Sequence, residues 1–408
     1  MNRIIKIINP GKQAGGSNML LARTALALAR RHGFTLSLVD FEDGATRSAW
    51  TAEGVQFEFR AYRSGENIEL KNGEVVLMGL LGAKLFTRHL RGNLNARLVT
   101  WCTAPQDPFK YIPPSYLFNS CSWGLKRTFA RLFFSSHKAR IARFLLDGAK
   151  RGGVIFMDAH CHEINEVMFG PGIPRCIVPI CTGIPQLKPR NLVRNTGRAY
   201  WVGRVTDFKT EPLVAMIRAL LGGDSPISEV VVIGDGADID KAKLRLMGLN
   251  VRWTGYLPPE QLDGELYANA DLVFGHGTAL LEAAKLAIPS LLVDGTYEVI
   301  PLKKLKASWL HKCPEGYVGS ITNQDKLRGQ SLSECLESFN ESLVAIGHAD
   351  YRHWLASHHP DVIAEKIASV IETGDFTVLD FMTSGAANPG WFGAVIEWVK
   401  RDLFRRRY

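Results

Sequence analysis

IIKIINPGKQAGGSNMLLARTALALARRHGFTLSLVD, residues 4 to 40, sets the fold class. IIKII (4 to 8) is a short apolar run of the buried-strand kind, residues 19 to 33 are a helix-length segment, and LSLVD (36 to 40) is a second apolar run. Strand, helix and strand in that order, with a glycine loop at the first junction, predict the parallel unit of an α/β sheet covered by helices. The rhythm continues outward. VVLM (75 to 78), ARLVTW (96 to 101) and GVIFMD (153 to 158) are further strand candidates. A second series opens at RAYWVGR (198 to 204) and runs through EVVVIGDG, VRWTGYL, ADLVFG and PSLLVD. Two open sheets of the doubly wound kind are expected.

CIVPICTGIPQLKPRN (176 to 191) is dense in proline and turn residues, as an interdomain connection would be. The expected division is therefore a first domain at 1–190, a second at 191–360, and a closing helix with a basic amphipathic tail at 361–408. A length of 408 residues suits such a division. With 46% apolar and 22% charged residues and no low-complexity tract, the chain reads as folded and soluble. A formal charge of +9 points to an anionic partner, for which nucleic acid, an anionic membrane surface and a phosphorylated substrate are all eligible. Seven cysteines without CxxC pairs suggest reduced thiols and a cytoplasmic protein. The opening MNRIIKIINPGK has too short an apolar run for a signal peptide, and no uncharged apolar stretch is long enough to span a bilayer.

Ligands of open α/β sheets bind at the carboxyl ends of strands, so the loops that follow strands are read first. In WVGRVTDFK, Gly203 and Arg204 stand just past a strand with Lys209 five residues after the arginine. Two cations there suit a diphosphate, although a pair of solvated surface cations has the same sequence. VIGDGAD carries a lone glycine loop, and Asp238 and Asp240 form a DxD that fits a solvated turn better than a metal. In FGHGTALLEAAKLAIPS (274 to 290), Gly275 and Gly277 let a backbone approach a ligand, Thr278 is a suitable N-cap, and a helix start suits phosphate. Glu282 then lies one turn in. It suits the vicinal hydroxyls of a ribose, or equally a pairing with Lys285 at i, i+3.

In order and spacing, WVGRVTDFK, VVVIGDG, VRWTGYLPPEQLDGELYANADLVF and GHGTALLEAAKLAIPSLLVD resemble the C-terminal half of GT-B glycosyltransferases of family four. NPGKQAGGS and GVIFMDAHCHEINEVMFG resemble the N-terminal half more loosely, so the likeness covers residues 1 to 373. It implies two Rossmann-like doubly wound domains facing across a cleft, and a hexosyltransferase acting with retention. The donor would be a nucleotide-diphosphate sugar, taken as substrate without further cofactor or metal. The acceptor would be a glycan or lipid-linked molecule of cell-envelope or exopolysaccharide biosynthesis. The resemblance makes Arg204 and Lys209 the catalytic diphosphate ligands, the turn at Tyr256 a base contact, Glu282 the ribose ligand, and His276 a residue that faces the donor. Gly203, Gly277 and Thr278 join the donor side, and Gly15 and Gly16 the acceptor side. Such relatives carry a glutamate where this chain has Phe274, and a histidine where it has WCTAPQDP, with Cys102 and Asp107.

HCHE (160 to 163) fits a helix start better than a zinc site, since adjacent ligands diverge on a helix. LKRTFARLFFSSHKARIARFLL (125 to 146) interleaves basic and aromatic residues and fits either an in-plane helix on anionic lipid or a core helix with a solvated basic face. WFGAVIEWVKRDLFRRRY (391 to 408) repeats the combination and favours membrane contact at the inner face; no nucleic-acid module is visible. Two other classes share these features. A nucleotide-sugar epimerase would interconvert donors without an acceptor. A non-catalytic, transferase-like lipid-binding protein would bind no nucleotide sugar.

Overall fold

The computed structural model describes residues 3–12, 16–112, 123–191, 195–222 and 225–388. By packing, the chain forms two compact units, Met1–Ile180 with the chain from Pro360 on, and Cys181–His359. The crossing at 180/181 falls inside the proline-dense stretch.

The first unit runs β1 (Ile4–Ile8), α1 (Gly16–His32), β2 (Thr35–Asp40), α2 (Ala45–Ala52), β3 (Phe57–Ala61), β4 (Ile68–Leu70), β5 (Glu74–Gly79), α3 (Leu80–Phe86), β6 (Leu90–Gly92), β7 (Arg97–Cys102), α4 (Trp123–Phe133), α5 (Ser135–Lys150), β8 (Val154–Phe156) and α6 (Ala159–Phe169). Six strands form one parallel sheet in the order β3-β2-β1-β5-β7-β8, and β4 pairs with β6. Ile5, Ile7, Leu38, Val76 and Leu98 are fully buried. This is why the strands read as continuous apolar runs rather than alternating ones. Lys6 enters the same core with its charge paired, 2.8 Å from Glu74 and donating to the Glu69 carbonyl. Removing either partner would strand a buried charge.

The second unit runs β9 (Arg198–Val202), α7 (Thr210–Leu221), β10 (Glu229–Ile233), α8 (Ile239–Arg245), β11 (Val251–Gly255), α9 (Pro259–Asn269), β12 (Leu272–Gly275), α10 (Thr278–Ala284), β13 (Ser290–Leu292), β14 (Lys306–Trp309), β15 (Gln330–Ser331), α11 (Leu332–Glu341) and α12 (Leu343–Ser357). Its seven-stranded sheet has the order β11-β10-β9-β12-β13-β14-β15, with the last two strands antiparallel. Trp201, Met216, Val232, Phe274 and Trp309 belong to its core. The chain then returns to the first unit as α13 (Pro360–Thr373) and α14 (Val378–Ser384). Arg31 of α1 meets Asp361 and Glu365 of α13 at 3.1 Å, and Leu98 N donates to the Phe376 carbonyl at 2.9 Å.

Each sheet reverses its strand order once, at β1, which lies between β2 and β5, and at β9, which lies between β10 and β12. Loops leaving neighbouring strands part there and open a crevice at the carboxyl edge. In the second unit those loops begin at Gly203 and at His276. In the first unit the loop after β1 leads to Gly16, the exposed first residue of α1, whereas Gly15 lies outside the described residues.

Candidate active site

Gly203 has φ 135°, a conformation that glycine adopts most readily, and its N–H donates to the Ile233 carbonyl at 2.9 Å. Val205 N donates to Asp235 O, and Asp238 N to Val205 O, each at 3.0 Å. The loops after β9 and β10 therefore lock together by backbone. A Cβ on Gly234 or Gly236 would stand 2.2 Å from the carbonyl oxygen of Gly203 or Val205. The VIGDGAD glycines thus serve the neighbouring loop. The Asp238 carboxylate accepts from Asp207 N at 2.9 Å and Thr210 Oγ1 at 3.0 Å, holding the turn that carries Lys209, while Asp240 faces solvent. No group of three His, Cys, Asp or Glu able to hold a metal ion occurs among the described residues.

The locked loop presents two cations, Arg204 exposed and Lys209 partly buried. Burial, and then the Arg204 charge, push the Lys209 amine down to about 8. Across the switch point, the His276 ring packs on Phe208, with centroids 5.2 Å apart and planes inclined by 36°. Gly295 and Gly319 leave room for this pair, since a Cβ on Gly295 would meet the Phe208 ring at 2.4 Å and one on Gly319 would meet His276 Nδ1 at 3.1 Å. His276 Nδ1 is buried without a hydrogen-bond partner among the described residues. Burial, then Lys209, push the imidazole down to about 3, so it is neutral at any physiological pH. Phe208 carried no local sequence signal. Its role comes from contacts with residues that are distant in the chain.

Thr278 is not the N-cap expected for α10. Gly277 holds that place, with φ 76°, and Thr278 opens the helix without a capping bond from its side chain. Gly277 N donates to the Val318 carbonyl at 2.6 Å, which fixes a backbone that a threonine would strain. A Cβ on Gly277 would meet nothing within 4 Å, so the glycine is required by its backbone angle rather than by crowding. Glu282 makes the pair its spacing allowed, 2.6 Å from Lys285, which also meets Asp263 at 2.9 Å. Phe274 is fully buried in β12, with its ring 5.8 Å from that of Trp201. The position counted as a missing glutamate is therefore a core position. Tyr256 follows Gly255 (φ 72°) at the end of β11 and is 64% exposed.

In the first unit, Asp107 accepts from Ala104 N at 3.0 Å and meets Lys110 at 2.9 Å, so it closes a turn. Cys102 and Cys161 are buried with sulfurs 3.5 Å apart, and burial pushes both thiols up. HCHE is a helix start, where Asp158 accepts from Cys161 N at 2.6 Å and His162 Nε2 bonds the Ile173 carbonyl at 2.7 Å. On α4, Leu125, Leu132 and Phe133 are 50%, 69% and 62% exposed. Arg127 and Arg131 are also exposed. The Lys138 amine of α5 is pushed down by burial and by those two charges. Residues 391 to 408, the second basic aromatic stretch, lie outside the described residues. Among the described residues, no helix is long and apolar enough to cross a membrane.

No family model and no curated protein sequence matches the chain. Solved structures do. Anabaena HepE in complex with UDP and glucose is 13% identical, with 90% of this chain and 99% of that one covered and a TM-score of 0.56. S. aureus TarM in complex with fondaparinux, alpha-GlcNAc-glycerol and UDP is 9% identical over 90% and 99%, with a TM-score of 0.55. A glycosyltransferase from Rickettsia africae is 11% identical over 91% and 100%, with a TM-score of 0.50. At these identities the likeness shows the fold, which is GT-B, with two Rossmann-like domains.

Proposed function

We propose that the chain is a glycosyltransferase of the family-four kind. It would move a hexose, with retention, from a nucleoside-diphosphate sugar to a glycan or lipid-linked acceptor of cell-envelope or exopolysaccharide biosynthesis. The observation that carries the reading is the pair Arg204 and Lys209 at the β9 switch point, beside a neutral His276. An amine that burial holds near 8 gains most from an incoming dianion, and two cations at one strand end stabilise the charge that gathers on a departing diphosphate. His276, being neutral, neither repels those cations nor competes for the anion. In this reading His276 is the residue that faces the sugar. Glu282 takes the ribose, Tyr256 the base, and Gly203, Gly277 and Thr278 shape the phosphate side. The acceptor-side domain is put at 1–190, with Gly15 and Gly16 at its loop, and the donor domain at 191–360. That HepE was solved with UDP and glucose supports a donor of this class.

The α4 face supports the reading of a cytoplasmic protein resting on the inner membrane surface. Exposed leucine and phenylalanine beside exposed arginines suit the interface of an anionic bilayer. The test of the catalytic reading is a calorimetric panel of UDP-, GDP-, ADP- and dTDP-sugars against the native chain, Arg204→Ala and Glu282→Ala. The best donor should lose roughly tenfold or more in affinity with each substitution. Equal binding by all three proteins would refute the site. Interconversion of the donor without acceptor would identify an epimerase.

A further inference from the structure

Lys285 follows the last residue of α10 and is 5% exposed. Its ammonium lies 2.6 Å from Glu282 Oε2 and 2.9 Å from Asp263 Oδ2, on side chains only 14% and 17% exposed. Asp263 stands on α9, the helix that follows β11 and the Tyr256 turn, whereas Glu282 stands on α10, which follows β12. One buried cation thus ties α9, whose leading turn is assigned to the base, to α10, which carries the proposed ribose ligand.

An exposed i, i+3 pair contributes little beyond local helix stability. This cluster differs because water is largely excluded from it. Without the ammonium, the contact that holds Glu282 against Asp263 is lost, and two like charges in a poorly solvated place push the side chains apart. A carboxylate accepts hydrogen bonds from two vicinal hydroxyls strongly only while ionised and correctly aimed.

We infer that Lys285 is a positioning residue for nucleotide recognition: by bridging Asp263 and one oxygen of Glu282, it holds that carboxylate directed at the ribose hydroxyls of a nucleoside diphosphate. The inference rests on the reading of Glu282 as the ribose ligand. Lys285 acts through Glu282 and does not touch the nucleotide.

The experiment measures binding of UDP, 2′,3′-dideoxy-UDP and inorganic pyrophosphate to the full chain by calorimetry. The native protein should prefer UDP to the dideoxy analogue by roughly 10- to 100-fold, the worth of hydrogen bonds to a charged acceptor. Lys285→Met should bring that ratio to within about threefold of unity while pyrophosphate affinity stays within about twofold, because the cations at Arg204 and Lys209 are untouched. Lys285→Arg, which keeps the charge, should restore most of the ratio. In a Glu282→Gln background, Lys285→Met should change the ratio no further. Should Lys285→Met not fold, the double variant Asp263→Asn, Lys285→Met removes the opposed carboxylate and carries the same expectation. A native-like ratio in folded Lys285→Met, or a further loss in the Glu282→Gln background, overturns the positioning role. Equal native affinity for UDP and its dideoxy analogue overturns the Glu282 assignment and the inference together, and a native chain that binds no nucleotide overturns the proposed function itself.

Discussion

Lys209→Met should stabilise the unliganded protein while weakening the diphosphate binding proposed for this turn. In the folded chain the amine sits at about 8 instead of 10.5, pushed down by burial and by Arg204. A shift of that size amounts to about 3 kcal/mol at neutral pH, or about 2 to 3 after allowing for the solvent that still reaches the side chain. Methionine keeps the length of the stem and needs no hydration. Below pH 8 the native state must hold a proton that the unfolded chain holds more readily, so the cost is present in full. Between pH 8 and 10.5 the native amine is deprotonated while the unfolded one is not, and wild-type stability climbs toward that of the variant. Urea unfolding at pH 7 should therefore show Lys209→Met ahead by about 2 to 3 kcal/mol, and its lead should shrink by about 2 kcal/mol at pH 9.5. In wild type at pH 8, UDP binding should take up about half a proton, read as a dependence of the calorimetric enthalpy on buffer. A variant no more stable than wild type at pH 7, or a lead that does not change with pH, would refute this account of the amine.

Gly234→Ala should lower stability by about 2 to 4 kcal/mol in thermal unfolding, because φ is 137° and the new Cβ would stand 2.2 Å from the Gly203 carbonyl oxygen. Asp350→Ala removes the buried carboxylate that accepts from Ser290 N at 2.8 Å and His311 N at 2.9 Å, and should cost about 3 kcal/mol in urea unfolding. Arg127→Glu with Arg131→Glu should weaken sedimentation with phosphatidylglycerol vesicles by roughly tenfold or more, at about 1 kcal/mol per basic residue, with UDP affinity unchanged. Undiminished vesicle binding would remove α4 from the membrane surface.

The buried parallel strands were legible because a strand covered on both faces is largely apolar, as IIKII, EVVVI and LVFG are, whereas the half-exposed β3 and the short pair β4 and β6 gave no such run. β14 and β15 were missed. KASW and QS are short, partly polar edge strands whose pairing is set by a long excursion from β13. Among the proposed site residues, the position of Arg204 and Lys209 in the turn after β9 could be read because glycine after a strand and spaced cations are local features. The Glu282 and Lys285 contact was legible as helical spacing, but its third member, Asp263, was not. Thr278 was misjudged for a physical reason. Capping preference favours threonine, yet the backbone there turns through positive φ to meet Val318, and that excludes any residue with a Cβ more strongly than a capping bond can attract one. The packing of His276 on Phe208 depends on Gly295 and Gly319, which nothing near them in the sequence links to it.

The interlocked turns after β9 and β10 have a consequence for anyone exchanging parts between proteins of this architecture. The turn that presents Arg204 and Lys209 takes its shape from a partner turn that itself presents no cation. A transplant limited to residues 203–209 would arrive without its mould, and a host with a side chain at position 234 or 236 would push it out of shape. The transferable cassette is the pair of turns, carried with Asp238, and variation within it should be sought as matched changes on both strands.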